Sequence, residues 1–322
     1  MKLQVPLGVS VGMDRSTPAS IPGYLVVPSD EYPTIQAAHD ALPPEGGGIW
    51  LAGSTTETDI VLRKAVKIVG QGTRFDTAGP HSGRPIPASP LEGPGSVIDT
   101  SGGNGIDIQT AGVVLRDVQI IGDYSGGYGI RIGTDSRGSN VLDNVFVVRK
   151  GGHGFLIEGG QLNNKIDGVA WDCHGDGWRF ESTWFNEHLF DRMVGYACQG
   201  NGVTIQQSMD PDNERNQRSR FNGNTINQFW MELNEGWGLY IEDDVRFEGN
   251  HISGYGIEHN QGDGDQMNQV IKVSNLFRPE WRDGGSGNLL HLRNLIRGTI
   301  DLDREEFEML TVTNVSGEDV RM

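Results

Sequence analysis

The stretch Gly103-Asn104-Gly105-Ile106-Asp107-Ile108 carries the pattern that decides the fold. Two glycines enclose one residue, and two apolar residues separated by one other residue follow. The pattern recurs at residues 127–132, 152–157, 175–180, 200–205, 236–241 and 254–259. From Gly105 onward, the second glycines of the first five copies are 24, 25, 23 and 25 residues apart. This regular period indicates stacked structural repeats, which we call coils.

A second pattern lies between the copies of the first, as in Leu142-Asp143-Asn144-Val145-Phe146-Val147 and again at residues 166–171. Both patterns alternate with period two, so that one side chain points inward and the next points outward. Nothing in the chain repeats at 3.6 residues, which argues against a helical solenoid. The sequence therefore predicts an all-β chain that forms a right-handed parallel β-helix, with glycines at the turns that adopt positive φ.

The predicted β-helix spans residues 31–287 and is interrupted by two loops. Residues 77–95 are rich in proline and glycine, and residues 207–218 are polar and lack a strand pattern. Loops on a rigid scaffold often carry binding. Residues 1–30 look extended, and residues 288–322 continue the apolar alternation as last coils, a cap or a subunit contact.

A short amphipathic helix is predicted at residues 33–42. Ile35, Ala38 and Leu42 fall on one face of it. An open solenoid end exposes core and strand edges, so we expect this helix to cap the N-terminal end.

Two segments of the chain resemble the first coils of pectate-lyase-like β-helix proteins. They are Tyr32-Pro33-Thr34-Ile35-Gln36-Ala37-Ala38 followed by Gly46-Gly47-Gly48-Ile49-Trp50-Leu51, and Val66-Lys67-Ile68-Val69-Gly70-Gln71-Gly72 followed by Val97-Ile98-Asp99. The resemblance covers roughly residues 30–260. It implies a fold shared by polysaccharide lyases, glycoside hydrolases, and the tailspikes and surface fibres of viruses. In virion spikes the N-terminal segment often attaches the protein to the particle, which implies that residues 1–30 contact other virion proteins; a disordered terminus is the alternative.

The formal net charge is −17, with 43 acidic and 26 basic residues. Such a chain repels nucleic acid phosphates and anionic membranes, so we expect neither as a partner. Arginine outnumbers lysine, and an acidic, lysine-poor surface suits a halophilic source or simply an acidic protein. No stretch is apolar enough to insert into a bilayer, and the segment from Met1 to Gly12 lacks the features of a secretory signal.

Alignment of the coils predicts an inner and an outer column of side chains in the first strand. The inner column is Ile106, Ile130, Phe155, Trp178, Val203 and Leu239, and the outer column is Gln109, Gly133, Glu158, Glu181, Gln206 and Glu242. Glu158 and Glu181 would lie on adjacent coils, roughly 5 Å apart. This is the separation of the two carboxylates in a retaining glycosidase, although an acidic surface also produces such pairs by chance.

Further candidate catalytic residues cluster at one turn. His153, Asp172, His174 and Asp176 are predicted near one edge of adjacent coils, and Gly152-His153-Gly154 is similar to a short polygalacturonase motif whose companion motifs are not evident. Lyases of the superfamily generally use a basic residue beside a calcium-bound uronate, a role that Arg179 could fill. No calcium loop is recognisable, the spacing fits no metal site, and we predict neither metal nor cofactor.

An outward column of aromatic residues is predicted in the second strand. It would run through Val148, Asp172, Tyr196, Phe229 and Tyr255, and exposed rings of this kind bind sugar faces. Trp184 and Trp237 are expected in turns, where they and Arg179 could extend a carbohydrate-binding surface. The alternative is that this column is buried under residues 207–218 or against a second subunit.

The two cysteines, Cys173 and Cys198, each stand four residues before the second glycine of their coil, so they should be neighbours. They could form a disulfide bond, but a stacked pair of buried thiols is the simpler interpretation.

Three functions are compatible with these features. The first is a virion-surface or spike-type protein that binds host-cell glycans, as a homotrimer. The second is an extracellular polysaccharide lyase or glycoside hydrolase, and the third is a purely structural virion component. The missing signal, the tail at residues 1–30 and the aromatic column favour the first.

Overall fold

The computed structural model describes residues 21–72, 95–206, 220–241, 246–258, 269–273, 289–293, 299–301 and 309–313. These residues form a mostly β structure with one helix and two long parallel sheets. Consecutive strands within each sheet come from consecutive coils, which fits the predicted parallel β-helix.

In the described residues the first sheet has thirteen strands. They are β1 (Tyr24–Val27), β2 (Gly47–Leu51), β3 (Thr55–Thr56), β5 (Val66–Val69), β6 (Val97–Asp99), β8 (Val114–Ile121), β10 (Val141–Val148), β12 (Lys165–Trp171), β14 (Leu189–Tyr196), β17 (Thr225–Glu232), β20 (His251–Glu258), β22 (Leu289–Arg293) and β24 (Met309–Thr313). The second sheet has eleven strands over the same ranges. They are β4 (Ile60–Leu62), β7 (Ile106–Ile108), β9 (Tyr128–Ile132), β11 (His153–Leu162), β13 (Trp178–Asn186), β15 (Val203–Ile205), β16 (Arg220–Asn222), β18 (Leu239–Ile241), β19 (Arg246–Glu248), β21 (Gln269–Val273) and β23 (Thr299–Asp301).

The predicted inner column of the first strand is confirmed. Its six members, Ile106, Ile130, Phe155, Trp178, Val203 and Leu239, pair in register from coil to coil in the second sheet. All six are buried in the core that lies between the sheets. Trp178 stacks on Phe155 with ring centroids 3.8 Å apart, and its indole nitrogen donates to the Val194 carbonyl at 2.9 Å. Trp178 is therefore a core residue, as the sequence predicts.

The glycines of the repeat are needed for close approach between coils rather than for positive φ, which corrects our expectation. Positive φ at these turns falls instead on other residues, such as Asp172 (55°) and Ala197 (54°). A Cβ on Gly154 would lie 2.5 Å from Ala170 Cβ and 2.7 Å from the Gly177 carbonyl oxygen. A Cβ on Gly200 would collide with Asp176 Oδ1 of the preceding coil. A larger residue at either position would push adjacent coils apart.

A buried ladder of polar side chains joins the coils beside the first sheet. In each rung a side-chain atom accepts a hydrogen bond from a backbone N–H of the previous coil. The rungs are Asn140, Asn164, His188, Asn224 and Asn250. His188 replaces asparagine in the middle of the ladder. Its Nδ1 accepts from the Asn164 N–H at 2.9 Å, which leaves the proton on Nε2 beside the Gln161 carbonyl oxygen at 3.1 Å. Burial lowers the pKa of His188 to about 3, so the ring is neutral.

The predicted helix is present as α1 (Ile35–Ala41), slightly shorter than residues 33–42. Thr34 Oγ1 accepts from the Ala37 N–H, and the Glu57 carboxylate accepts from the Ile35 and Gln36 N–H groups at 2.7 and 2.8 Å. At the other end, Lys64 Nζ donates to the Leu42 carbonyl at 2.7 Å. Both helix ends are thus satisfied by side chains, which stabilises this short element.

Several other predictions concern the chain ends and loops. Within residues 1–30, β1 pairs in parallel with β2, and β22, β23 and β24 continue both sheets within residues 288–322. The predicted loops at 77–95 and 207–218 lie outside the described residues, apart from Gly95. No helix in the described ranges has the length and apolar character needed to cross a membrane.

Cys173 and Cys198 are buried free thiols. They lie on adjacent coils, because Trp171 and Tyr196 pair in register just before them. The structure thus contains the stacked thiol pair that the sequence favours over a disulfide.

Candidate functional site

A group of charged and polar side chains covers the outer face of the second sheet, and we call it the charged strip. Its members are Asp107, Arg131, Glu158, Asp176, Arg179, Glu181 and Gln206. They come from five consecutive coils. In sequence they alternate with, or directly flank, the inward residues of β7, β9, β11, β13 and β15. The strip contains four carboxylates and two guanidinium groups, so it is acidic overall. Five residues predicted from the sequence are involved in it: Glu158, Glu181, Asp176, Arg179 and, at its edge, His153.

Glu158 and Glu181 pair in register on β11 and β13, as predicted. Each carboxylate is held by its own arginine. Glu158 Oε2 accepts from Arg131 Nε at 2.6 Å, and Glu181 Oε1 accepts from Arg179 Nε at 2.5 Å. The Glu158 and Glu181 side chains are 22% and 28% exposed, so both can be reached from solvent. Two adjacent carboxylates, each held by an arginine, act as hydrogen-bond acceptors in fixed positions.

Arg131 and Arg179 each bridge two carboxylates. Arg131 Nη1 lies 3.0 Å from Asp107 Oδ2, and Arg179 Nη1 lies 3.0 Å from Asp176 Oδ2. Burial disfavours the charged form of Arg179, but hydrogen bonds and the charges of Glu181 and Asp176 outweigh it and raise the pKa of this guanidinium. Arg179 is therefore held as a cation between Asp176 and Glu181.

His153 and Asp176 have a structural role between coils. His153 Nδ1 accepts from the Asp176 N–H at 3.0 Å, and Asp176 Oδ1 accepts from the Asn201 N–H at 2.7 Å. Asn201 Oδ1 continues the series by accepting from the Trp237 N–H at 2.6 Å. Burial lowers the pKa of His153 although the nearby Asp176 carboxylate opposes this. His153 is thus neutral with its proton on Nε2, and both residues link successive Gly-x-Gly turns.

The outer face of the first sheet is apolar over the C-terminal halves of β8, β10, β12, β14 and β17, and we call this part the apolar face. Val145 and Val147 of β10 point into the core, whereas Phe146 and Val148 point to the opposite side. Register pairing extends these into two rows across the coils. One row is Gln119, Phe146, Val169, Val194 and Trp230, and the other is Ile121, Val148, Trp171, Tyr196 and Glu232.

The rings of Trp171 and Tyr196 on the apolar face pack against each other. Their centroids are 4.4 Å apart with planes inclined by 41°. This is a tilted contact between the aromatic rings of adjacent coils. Burial raises the pKa of Tyr196, and the neighbouring Glu232 carboxylate adds to this effect. Both side chains are half-buried, so only part of each ring is exposed to solvent.

Polar side chains border the apolar face at the ends of its strands. Tyr124 stacks on His174 with centroids 4.4 Å apart, and its hydroxyl donates to Asp172 Oδ2 at 2.6 Å. Arg149 Nε lies 3.6 Å from the same carboxylate oxygen. Asp172 and His174 therefore lie at this border and not in the charged strip with His153 and Asp176.

The predicted aromatic column is wrong in its alignment. Tyr196 is flanked by Trp171 and Glu232, whereas Asp172 belongs to the next position along the chain. Phe229 pairs with Met193 and is fully buried in the core. Tyr255 falls between Gly254 and Gly256, where the register with β17 shifts, and its side chain lies outside the described residues.

The two remaining tryptophans also differ from prediction. Trp237 lies in a turn as expected, but it is only 6% exposed and so is no open platform. Trp184 lies within β13 rather than in a turn, half-buried and opposite Gly160 of β11.

Sequence reasoning missed Asp107 and Arg131 in the strip, and Trp171 and Trp230 on the apolar face. The residue between the two apolar positions of each repeat carries the signal for the strip, because Asp107, Arg131 and Arg179 all occupy it. In the described part of the chain, no three histidine, cysteine, aspartate or glutamate side chains converge as metal ligands.

Comparisons with known proteins add little. No family model matches the chain, and no curated protein matches it. Among solved structures, the chain is similar to the catalytic domain of a GH87 α-1,3-glucanase in complex with tetrasaccharides, with a TM-score of 0.34 and 13% identity. The match covers 91% of this chain and 64% of that domain, so the chain spans less than two thirds of its length. At this TM-score the similarity identifies neither a family nor a function.

Proposed function

We propose that this chain is a right-handed parallel β-helix, capped at its N-terminal end by α1, that binds neutral glycans along the charged strip. The observation that carries the proposal is the pairing of Glu158 and Glu181 in register, each held by a separate arginine. Carboxylates and guanidinium groups in fixed positions are planar acceptors and donors, and sugar hydroxyls are both donors and acceptors. The apolar face, whose side chains are buried or half-buried, is a weaker candidate for the same role.

The charge of the strip favours neutral sugars over acidic ones. Four carboxylates surround two guanidinium groups, and the whole chain carries a net charge of −17. A uronate polymer would bring additional negative charge to this surface and would be repelled. This consideration argues against a polysaccharide lyase, because such enzymes act on uronates.

Binding without cleavage is the expected activity. A glycosidase requires one carboxylic acid that can donate a proton to the leaving group. Glu158 and Glu181 each accept from a guanidinium, on Oε2 and Oε1 respectively, so one oxygen of each carboxylate is already engaged within the protein. The pair therefore suits hydrogen bonding to hydroxyls better than acid catalysis.

A panel of neutral and acidic polysaccharides tests this proposal. Binding is measured by affinity electrophoresis, and the same mixtures are assayed for new reducing ends and for unsaturated uronate absorbance. We expect retardation by at least one neutral polysaccharide and no product in either assay. Binding only to acidic polysaccharides, or to none, would refute the proposal.

Glycoside hydrolysis is the second candidate, because the in-register pair has the spacing of a retaining enzyme, roughly 5 Å. New reducing ends that disappear in Glu158→Gln or Glu181→Gln would establish it. The same result would displace the binding proposal.

We place this glycan-binding protein on the surface of a virion, as a spike-type homotrimer. The support is the resemblance of the first coils to β-helix proteins that include viral surface fibres. Detection of the chain in purified particles by mass spectrometry, together with a trimeric mass in light scattering, is the expected result. A monomer secreted into the medium would point to the extracellular alternative.

A further inference from the structure

Tyr124 is the most exposed aromatic residue among those whose burial the structure describes. It is 39% exposed, whereas the other phenylalanine, tyrosine and tryptophan residues in that part of the chain are buried or half-buried. A single exposed ring is common on protein surfaces and indicates no function by itself. Tyr124 differs from such a residue because its exposed ring is also held in one position.

Contacts at three points fix the Tyr124 side chain. Its ring stacks on the His174 ring with centroids 4.4 Å apart and planes inclined by 16°, and its hydroxyl donates to Asp172 Oδ2 at 2.6 Å. Its backbone N–H donates to the Arg149 carbonyl oxygen at 2.8 Å. The side chain therefore extends along the stack, because β8, β10 and β12 are successive strands of the first sheet. A ring that is already ordered loses little conformational freedom when a ligand binds to it.

The exposed part of the Tyr124 ring is surrounded by groups that suit a sugar. The stacked contact with His174 uses one face of the ring, so the exposed surface belongs to the opposite face and the edges. A sugar has a face of C–H bonds that packs on an aromatic ring. The Arg149 and Asp172 side chains beside it are 28% and 31% exposed and are a donor and an acceptor for sugar hydroxyls.

The charges around the ring favour a neutral ligand. Arg149 Nε lies 3.6 Å from Asp172 Oδ2, so the two opposite charges compensate each other. Burial and the hydrogen bond to Asp172 raise the pKa of Tyr124, so its phenol is neutral. An anionic sugar would also be repelled by a chain with a net charge of −17.

The Tyr124 ring lies one turn away from the charged strip. His174, on which it stacks, precedes Asp176 of the strip by two residues, so the Cα atoms of those two residues are at most about 7 Å apart. Gly175 lies between them, and a Cβ placed on it would be 2.8 Å from Nδ1 of His153 at the edge of the strip. An oligosaccharide of several units that is bound on the strip can therefore reach Tyr124.

We propose that Tyr124 is a stacking platform for one sugar unit of the glycan that binds to the charged strip, with Asp172 and Arg149 as partners of its hydroxyls. This inference rests on the proposed glycan binding and adds a second contact on the other side of the Gly-x-Gly turn. The ligand is then a neutral saccharide of several units rather than a single terminal sugar, because only a chain contacts both places at once.

Three variants separate the role of the ring from other effects. Tyr124→Asn removes the ring, and asparagine tolerates the φ of 65° at this position, so the variant should fold. Tyr124→Phe retains the ring and removes only the hydroxyl. Leu233→Asn is the matched control, because Leu233 is 42% exposed and has a φ of 57° but carries no ring.

Affinities are measured by isothermal titration calorimetry with maltohexaose, cellohexaose, mannohexaose and xylohexaose, which are linear neutral saccharides. For a hexasaccharide that binds to wild type, we expect Tyr124→Asn to weaken binding about tenfold or more and Tyr124→Phe to weaken it less than about threefold. Leu233→Asn should leave the affinity unchanged. Far-ultraviolet circular dichroism of all three variants should match that of wild type.

Wild-type affinity in Tyr124→Asn, or equal losses in Tyr124→Asn and Tyr124→Phe, would overturn the stacking role. The Glu158→Gln/Glu181→Gln double variant is titrated in parallel and reports on the charged strip separately. A loss in that variant together with wild-type affinity in Tyr124→Asn would refute the platform and leave glycan binding on the strip intact. If none of the hexasaccharides bound to wild type, both the platform and the proposed glycan binding would be refuted.

Discussion

Glu158 and Glu181 lie opposite each other on neighbouring strands of the second sheet, and each is paired with a different arginine. Without those arginines the acidic residues of the charged strip would repel one another across the coils. The two guanidinium groups therefore allow a row of carboxylates to exist on one face of the stack. They also hold those carboxylates in fixed positions, which is what recognition of a ligand requires.

Arg131→Gln should destabilise the protein by about 2 kcal/mol, because it leaves Asp107 buried without its cation. The matched control is Arg116→Gln, which removes an exposed pair with Asp143 and should cost about 0.5 kcal/mol or less. Both are measured by urea unfolding at low ionic strength. Equal effects of the two substitutions would show that the strip is only a solvated surface.

The stability of the protein should fall with acid because of His188. Its pKa in the folded state is about 3, below the ordinary value near 6.5, so only the unfolded chain takes up a proton as the pH falls from about 6.5 towards 3. This uptake favours unfolding by up to about 1.4 kcal/mol per pH unit in that range and has no effect above it.

His188→Asn tests this directly, since asparagine occupies the other described rungs of the ladder. The variant loses the stacking of the ring on Phe185, which shifts its stability by a constant amount. The unfolding free energy of the variant minus that of wild type should then increase steadily as the pH is lowered from 6.5 to 4. A difference that stays constant across this range would contradict the assigned protonation state.

Gly200→Ala should destabilise the protein by about 1–3 kcal/mol, because the added methyl group collides with Asp176 Oδ1 and the backbone of the preceding coil. Gly53→Ala, which adds a methyl group in open space, should be neutral or slightly stabilising. Thermal unfolding of both variants provides the comparison. If Gly200→Ala behaved like Gly53→Ala, close approach would not be the reason for the repeated glycines.

The thiols of Cys173 and Cys198 should not react with an aromatic disulfide reagent in the native protein, because both are fully buried. Each protein molecule should release two equivalents of reagent chromophore after denaturation in guanidinium chloride. Release of no chromophore after denaturation would mean that the two residues form a disulfide bond instead.

The inner column could be predicted from sequence because the glycines mark the register. Each second glycine directly precedes an inward apolar residue, so the spacing of the glycines aligns Ile130, Phe155 and Val203 without further information. The same spacing aligns Glu158 with Glu181, since both follow the second glycine by four positions.

The aromatic column could not be predicted because the second strand has no such marker and the coils differ in length. Trp171 follows Val148 by 23 residues, and Glu232 follows Tyr196 by 36 residues because an insertion lies between them. An error of a few positions exchanges an outward residue for an inward one, as happened for Phe229. The ion pairs of Arg131 and Arg179 were missed for another reason. The sequence gives the position of each arginine, but the direction of its side chain decides which carboxylate it contacts.

The most direct test of glycan binding on the charged strip is a calorimetric titration of the Glu158→Gln/Glu181→Gln double variant with the neutral polysaccharide that binds wild type. Asp143→Asn, which neutralises an exposed carboxylate on β10 of the first sheet, is the control. We predict that the double variant loses at least tenfold in affinity, about 1.4 kcal/mol, while its far-ultraviolet circular dichroism stays that of wild type. Unchanged affinity in the double variant, with binding lost instead in Trp171→Ala, would contradict the account and move the glycan site to the apolar face.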